Sequence, residues 1–195
     1  MSTVSTSEVH QGVLEKYRRV AVCPAGLFRY RTGEQSALGL GYPPALLDAI
    51  PQAIRERFVG VGNPYSLGPV RSGEAVLDLG CGAGFDALVA AQLVGPAGRV
   101  VGIDLSPEML AVAEAGRANG RFPQVEFHAA AVEALPFPDA YFDVALSNGV
   151  LNLVPDKPAV LREIFRVLRP GGRLQACDMS LVADEPPPDK APWSD

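Results

Sequence analysis

The sequence predicts an α/β fold in which helices cover both faces of a parallel sheet of about five strands. From Glu74 onward, short apolar runs alternate with longer segments of helical spacing, and glycines and prolines separate them. Strands that helices bury on both faces are typically continuous apolar runs, as these are. The 195 residues are enough for one such domain with a smaller cap.

The predicted strands are short and rich in β-branched or aromatic residues; they cover 75–79, 99–104, 125–128, 141–147 and 173–179. Helices are predicted at 85–94, from Ser106 onward and at 156–168. Ser106 suits the N-cap, Pro107 the first helical position, and Glu108 complements the helix dipole. Pro170-Gly171-Gly172 is expected to stop the last helix.

The part before Glu74 is less regular. Apolar residues at helical spacing predict one amphipathic helix that is interrupted or bent near Pro51: Leu46, Leu47, Ile50, Ile54 and Phe58. We therefore divide the chain into a flexible N-terminus (1–12), a helical cap on the substrate side (13–73), a ligand-binding sheet domain (74–182) and a proline-rich tail (183–195).

Composition excludes several classes of function. The net charge of -5 does not favour nucleic-acid binding, and no apolar run is long enough to span a membrane. The first residues lack the basic and apolar regions of a signal peptide. Three scattered cysteines and two histidines predict no metal site, so we expect a cytoplasmic protein with reduced thiols.

A glycine-rich loop, Gly80-Cys81-Gly82-Ala83-Gly84, follows the first predicted strand. In open parallel sheets, ligands bind beyond the carboxyl ends of the strands, and glycines let them approach the backbone closely. Asp104 closes the second strand, where its carboxylate could accept both hydroxyls of an adenosine ribose. An NAD-linked reductase would share this arrangement, although the loop follows GxGxG and lies after Asp78, whereas the dinucleotide pattern is GxGxxG.

Five motifs in order make residues 74–182 similar to the class I S-adenosylmethionine (SAM)-dependent methyltransferases, of the methyltransferase type 11 kind. They are 76–82 (VLDLGCG), 101–109 (VGIDLSPEM), 134–137 (ALPF), 141–144 (YFDV) and 168–174 (LRPGGRL). This resemblance implies a Rossmann-like domain that binds SAM as its cofactor.

The resemblance also implies a role for each matching residue. Asp78 and the backbone of Gly80, Cys81, Gly82 and Gly84 would face the methionine part of SAM. Asp104 would bind the ribose, and Leu105, Met109, Ala131 and Val132 would surround the adenine. Many relatives carry an acid near Ala131, so that contact is either made by backbone here or missing. Ser147 and Asn148 would lie near the sulfonium.

A narrower resemblance links the chain to the arsenite methyltransferase group. It rests on 60–64 (GVGNP), 82–86 (GAGFD), 147–153 (SNGVLNL) and 155–158 (PDKP). That group binds trivalent arsenic through cysteine thiolates, which are soft ligands. Two of its cysteines correspond to Val61 and Gly149 here, and a third would lie beyond residue 195. We therefore predict another small-molecule acceptor, and we expect Cys23, Cys81 and Cys177 to be structural.

Polar residues of the cap and of the fourth strand are the candidates for lining the acceptor pocket: Tyr17, Tyr30, Asn63, Tyr65, Asn148 and Asn152. No general base stands out, and His128 is the only histidine expected near the cleft.

Class I methyltransferases usually add a hairpin after the fifth strand, for which the residues after Met179 leave no room. An exposed edge would result, and we expect a homodimer through it. The missing thiols and hairpin also leave open a SAM-binding subunit without catalysis.

Overall fold

The computed structural model describes residues 6–118 and 122–180. Five strands form one sheet in the order β3-β2-β1-β4-β5, and every neighbouring pair is parallel. The strands are β1 Ala75–Leu79, β2 Arg99–Asp104, β3 Val125–Ala129, β4 Phe142–Asn148 and β5 Leu168–Cys177. The predicted α/β fold with a five-stranded parallel sheet is thus confirmed.

Helices cover both faces of this sheet. In chain order they are α1 Thr6–Val22, α2 Gly33–Gly39, α3 Pro44–Leu47, α4 Gln52–Arg55, α5 Phe85–Val94, α6 Pro107–Arg117 and α7 Lys157–Val167. Short 3-10 helices span Pro64–Leu67 and Leu151–Leu153. Within the described ranges, no helix combines the length and the apolarity that crossing a bilayer requires.

The core has two apolar clusters, one on each side of the sheet. One contains α5, which is buried on nearly all sides because the N-terminal helices cover its outer surface. The other lies under α7, whose Val160, Ile164 and Val167 face the sheet while Phe165 on the opposite side is 83% exposed. The sheet edge that carries the ligand site is therefore held between two packed layers.

Residues 46–58 include the end of α3 and all of α4, so the predicted helix is interrupted at Pro51, which is one of the two alternatives that the sequence left open. Pro51 is extended (ψ 139°) and serves as the N-cap of α4, since proline has no N–H to continue the preceding turn. The apolar positions nevertheless pack as their spacing indicated, because Leu47, Ile50, Ile54 and Phe58 are all buried.

Helix α1 begins within the segment that the sequence suggested to be flexible. Residues from Thr6 onward are helical, and Val9 and Val20 of this helix are buried. Because polar residues lie between these positions, the apolar side of the helix is hard to recognise in the sequence. That side packs on the rest of the molecule. Residues 1–5, which belong to the same predicted segment, lie outside the described residues.

The last helix ends before the Pro-Gly-Gly turn, so that turn does not stop it. Helix α7 ends at Val167, and β5 already begins at Leu168 and runs through Pro170, with a register shift opposite Phe142 and Val144. Proline is tolerated there because β5 lies at the edge of the described sheet. The predicted tail, 183–195, lies outside the described residues.

Candidate active site

The sheet order reverses between β1 and β4, and a cleft opens at the carboxyl ends of these strands. This is the position at which open α/β sheets bind ligands. The cleft encloses about 930 Å³ of space, part of it open to solvent. Its walls are the loop after β1, the ends of β1, β2 and β4, the segment after β3, and one side of α1.

The loop after β1 has the backbone conformation that its glycines make possible. Gly80 and Gly82 have φ of 61° and 53°, in the left-handed region that favours glycine. A Cβ at Gly80 would also lie 2.6 Å from Cγ2 of Val150, which follows β4. The loop is tied to β2 because the N–H of Cys81 donates to the carbonyl of Ile103 at 2.8 Å.

Asp104 organises the neighbouring backbone. Its Oδ2 accepts a hydrogen bond from the N–H of Gly82 at 2.8 Å, and its Oδ1 accepts one from the N–H of Ser106 at 2.8 Å. Burial raises the pKa of Asp104, and backbone N–H donors, including these two, oppose that rise. A carboxylate can accept about four hydrogen bonds, so Asp104 keeps acceptor capacity that a ligand hydroxyl could use. Ser106 caps α6 as predicted, with its Oγ accepting from the N–H of Met109 at 3.3 Å.

Two buried carboxylates lie at the β1 side of the cleft. Asp78 is 2% exposed, and its Oδ2 has no hydrogen-bond partner among the described residues. Asp86 accepts from the hydroxyl of Tyr42 at 2.6 Å and from Nδ2 of Asn148 at 3.0 Å. Burial, and then the charge of Asp86, raise the pKa of Asp78 well above its usual range. Burial raises the pKa of Asp86 to about 6, against the two hydrogen bonds. This pair favours a cationic ligand group.

A fourth carboxylate, Glu133, lines the cleft after β3. Its Oε1 lies 3.0 Å from Nε2 of His10 in α1, and its Oε2 is buried without a partner in the described parts of the chain. Glu133 therefore places a carboxylate in the cleft two residues after Ala131, the position near which we considered an acid missing. His10, and not His128, is the histidine of the cleft; His128 is half exposed beside Glu126 on β3.

Three of these carboxylates form a row across adjacent strands: Glu133 lies four residues after β3, Asp104 is the last residue of β2, and Asp78 lies next to the last residue of β1. Neighbouring strands are about 4.8 Å apart, so the row spans on the order of 10 Å. Unused acceptor oxygens in such a row match a molecule with an amine at one end, hydroxyls in the middle and an ammonium at the other end. SAM has this chemistry in its adenine, ribose and methionine parts. A dinucleotide would instead bring an anionic pyrophosphate close to Asp78 and Asp86.

Most residues predicted to contact the cofactor line the cleft: Asp78, Gly80, Cys81, Gly82, Asp104, Leu105, Met109 and Val132. Three others lie outside its lining. Gly84 is the left-handed N-cap of α5 and packs against Phe127. Ser147 is fully buried within β4. Ala131 does not line the cleft, whereas its neighbour Ala130 does.

The residues predicted to contact the acceptor are more dispersed. A smaller second cavity adjoins the cleft and shares Val13, Tyr17 and Leu153 with it. Tyr17 thus lines both cavities, whereas Asn148 lines the cleft alone and Tyr30 and Asn152 line the second cavity alone.

Asn63 and Tyr65 line neither cavity. Asn63 caps the Pro64–Leu67 helix through the N–H of Tyr65, and the hydroxyl of Tyr65 donates to the carbonyl of Asp86 at 2.6 Å. Asn148 has a supporting role: its Oδ1 accepts from the N–H groups of Val61 and Gly62 at 2.9 and 3.1 Å, and its Nδ2 donates to Asp86. It fixes the 61–62 segment against α5.

The fold and the row of carboxylates define a SAM-binding domain of the class I methyltransferase type. A family model described as "Methyltransferase domain" matches residues 70–192. The chain therefore belongs to the methyltransferase domain family, among the class I SAM-dependent methyltransferases and related to the arsenite methyltransferase group.

Named relatives agree with this assignment. An arsenite methyltransferase of Halobacterium salinarum is 45% identical over 128 residues, 66% of this chain and 33% of that protein. The ubiquinone/menaquinone biosynthesis C-methyltransferase UbiE of Vibrio parahaemolyticus is 43% identical over 117 residues, 60% of this chain and 45% of that protein. The crystal structure of an arsenic(III) SAM methyltransferase from Chlamydomonas reinhardtii matches with a TM-score of 0.65 and 40% identity, covering 71% of this chain and 50% of the other. The chain thus spans half or less of these relatives.

Proposed function

We propose that this chain binds SAM in the cleft and transfers its methyl group to a small-molecule acceptor. The observation that carries the proposal is the row of carboxylates, in which Asp78 and Glu133 each keep a buried oxygen without a partner among the described residues. Buried acceptors of this kind call for donors that a ligand supplies. The amine, hydroxyls and ammonium of SAM meet that requirement in the observed order.

Positioning is the main contribution of the protein to this chemistry. SAM, when bound, supplies a methyl group already activated on a sulfonium. That group would pass to a lone pair of the acceptor, and the electron pair of the carbon–sulfur bond would stay on sulfur. The chain must hold the acceptor in line with that bond, and such alignment lowers barriers by several kcal/mol. Asn148 contributes by fixing the 61–62 segment beside the cleft.

The tyrosines near the junction of the two cavities do not act as general bases. Burial raises the pKa of Tyr17 well above its usual range and that of Tyr30 to about 12, so both phenols stay protonated at neutral pH. The hydroxyl of Tyr30 also donates to the carbonyl of Val59 at 3.0 Å. These side chains therefore shape the cavity, and the proposal requires an acceptor that ionises readily or reacts without losing a proton first.

Arsenite is not the acceptor that we propose, although relatives named above carry that activity. A Cβ at Gly149 would lie 3.6 Å from Cγ1 of Val61, so the two matched positions are neighbours but neither carries sulfur. Cys23 is exposed, and Cys177 is half-buried rather than fully buried as expected. Burial raises the pKa of the thiols of Cys81 and Cys177, which disfavours the thiolate that a metalloid needs.

A cytoplasmic location is part of the proposal. It is supported by the three cysteines, all of which carry free thiols, as is usual in a reducing compartment.

The experiment that tests the function combines binding and turnover on the full chain. Isothermal titration measures SAM affinity, and formation of S-adenosylhomocysteine is then measured with arsenite, simple amines, thiols and hydroxylated aromatic compounds. Binding with turnover of at least one organic acceptor is the expected result. Binding without turnover of any acceptor would favour the non-catalytic SAM-binding subunit, and turnover of arsenite alone would overturn the proposed acceptor class.

A further inference from the structure

The second cavity has mostly aromatic and aliphatic walls. It comprises about 400 Å³ of space, part of it open to solvent, and lies among α1, the loop after α1, the 61–62 segment and the loop after β4. Phe28 and Tyr30 line it with ring centroids 5.1 Å apart at an interplanar angle of 48°, and Tyr17 contributes a third ring. Flat rigid surfaces of this kind favour a flat apolar ligand over a branched or strongly hydrated one.

The floor of this cavity is the place where relatives of the arsenite group would carry two thiolates. Gly149 has φ of 77°, and its imagined Cβ would contact only Val61 within 4 Å. The pair is thus small and apolar, and it leaves room beside the rings. Both residues line the cavity.

The charge of the walls is one-sided. Lys16 is the only charged residue in the described lining, and its Nζ lies 4.7 Å from the centroid of the Phe28 ring. A cationic acceptor would therefore meet a like charge in the lining, while the carboxylate of Asp178 lies next to it and accepts from the N–H of Asn152. A cation also favours the ionised form of a nearby acid, which for a phenol is the nucleophilic phenolate.

One polar group in the lining lacks a partner. Oδ1 of Asn152 is buried and accepts no hydrogen bond from the described residues. The backbone N–H of Asn152 donates to Oδ2 of Asp178 at 3.1 Å, so the residue is held in place while its side-chain acceptor remains unused. A ligand N–H or O–H would satisfy it.

We infer that the second cavity is the acceptor site and that it takes a small aromatic molecule carrying hydroxyl groups. This inference rests on the proposed function, because the cavity adjoins the SAM cleft at Tyr17, Val13 and Leu153. One hydroxyl gives its proton to solvent water before the molecule enters the cavity, and the bound phenolate attacks the methyl carbon of SAM, whose carbon–sulfur electron pair stays on sulfur. The products are the aryl methyl ether and S-adenosylhomocysteine. A second hydroxyl can donate to Asn152.

Binding is tested separately from turnover with 4-nitrophenol and catechol as probes. The full chain is first saturated with S-adenosylhomocysteine, and the visible absorbance of 4-nitrophenol then reports both its binding and its ionisation. Nitrobenzene, which lacks the hydroxyl, and benzylamine, which is cationic, are matched controls. We expect 4-nitrophenol to bind at least ten-fold more tightly than either control, and we expect catechol methylation to release S-adenosylhomocysteine when SAM replaces the product.

Three variants locate the site. Val61→Trp fills the cavity and should weaken 4-nitrophenol binding at least ten-fold. Asn152→Ala should weaken catechol more than 4-nitrophenol. Lys16→Met should raise the apparent pKa of bound 4-nitrophenol. The SAM affinity of all three should stay within about two-fold of the wild type, and Glu114→Ala, on the outer side of α6, should change none of these values.

Each failure has a distinct signature. If SAM itself does not bind, the proposed function fails. If SAM binds but 4-nitrophenol binds no better than nitrobenzene, the inference of an aromatic acceptor site is wrong. It is also wrong if 4-nitrophenol binds Val61→Trp as tightly as the wild type. Should Val61→Trp fail to fold by circular dichroism, Phe28→Ala takes its place with the same expected loss.

Discussion

At the scale of single residues, Glu133 is an acid of the cleft that stands at a different sequence position from the one we expected. The position at which relatives carry an acid is Ala131, but the segment after β3 directs Glu133 into the cleft instead, with Oε2 unused among the described residues. Because that path depends on packing across the molecule, the printed sequence did not reveal it. Asp104, in contrast, could be predicted, because a carboxylate at the end of a strand has a fixed place at the sheet edge.

Replacing Glu133 tests its role toward the adenine. We expect Glu133→Ala to weaken SAM binding by roughly 1–3 kcal/mol, as is usual for a hydrogen bond that involves a charged group. The measurement is isothermal titration with three separate ligands: SAM, sinefungin, which keeps the adenine, and methionine, which lacks it. The loss should appear for the first two ligands and be absent for methionine. Equal losses for all three would show that Glu133 only supports α1 through His10.

The buried aspartates make the stability of the ligand-free protein depend on pH. The pKa of Asp86 is raised to about 6 and that of Asp78 is raised well above its usual range, so the folded state holds protons that the unfolded state releases. Stability from these groups is therefore present at about pH 4 and is lost as pH rises through 6 and beyond. The shift of Asp86 alone corresponds to roughly 3 kcal/mol. The surface acids Glu74 and Glu163 have lowered pKa values and lose their contribution only as pH falls below about 4.5.

Thermal unfolding between pH 5 and pH 8 measures this effect. The ligand-free protein should have the higher Tm at pH 5, and saturating SAM should reduce the difference, because its ammonium offsets the negative charge of the pair. Asp86→Asn should flatten the profile, whereas Asp48→Asn, at an exposed position, should keep the wild-type slope. A ligand-free Tm that rises from pH 5 to pH 8 would contradict the assignment.

Helix α1 is the element whose role the sequence least revealed. It lines the cleft through His10, Val13 and Tyr17, and several polar contacts attach it to the rest of the domain. Nε of Arg57 donates to the carbonyl of Ala21 at 2.6 Å, Nε of Arg18 donates to Glu108 at 2.8 Å, and His10 pairs with Glu133. The strands and the Ser106 cap could be predicted because their signals are local. The placement of α1 could not, because it depends on partners far away in sequence.

Hydrogen exchange tests whether α1 forms part of the SAM site. Since one side of α1 lines the cleft, bound SAM should slow amide exchange in the segment 9–18 at least several-fold. Exchange in α7, which packs on the opposite side of the sheet from α5, is the internal control and should not change. Slowing in α7 equal to that in α1 would indicate general stabilisation, and no change in α1 would remove it from the site.

At the scale of the whole molecule, the order of the strands could be predicted only in part. The alternation of strands and helices indicated a parallel sheet, but the reversal between β1 and β4, which creates the cleft, is a property of the assembled fold. The boundary of β5 was misplaced for the same reason, since Pro170 is compatible with a strand only at an edge. The apolar spacing alone joins residues 46–58 into one helix, but Pro51 separates them into two short helices.

The homodimer through the edge of β5 stays a prediction. Among the described residues, β5 pairs only with β4, and Phe165 and Leu161 of the neighbouring α7 are 83% and 47% exposed. Light scattering during size-exclusion chromatography at micromolar concentration should give twice the chain mass of 20.6 kDa. Phe165→Asp should shift the mass toward the monomer, whereas Arg162→Ala, at an exposed position of the same helix, is the control because it changes the net charge by the same amount. A monomeric wild type would rule the dimer out.

The central claim is that the carboxylate row selects SAM, and one titration series tests it most directly. SAM, S-adenosylhomocysteine and NAD are titrated into the full chain and into Asp104→Ala. We expect SAM and S-adenosylhomocysteine to bind and NAD to bind much more weakly. Loss of Asp104 should cost roughly 1.5–3 kcal/mol for both adenosyl ligands through the ribose and the glycine loop. Tighter binding of NAD than of SAM, or a SAM affinity unchanged in Asp104→Ala, would contradict the account.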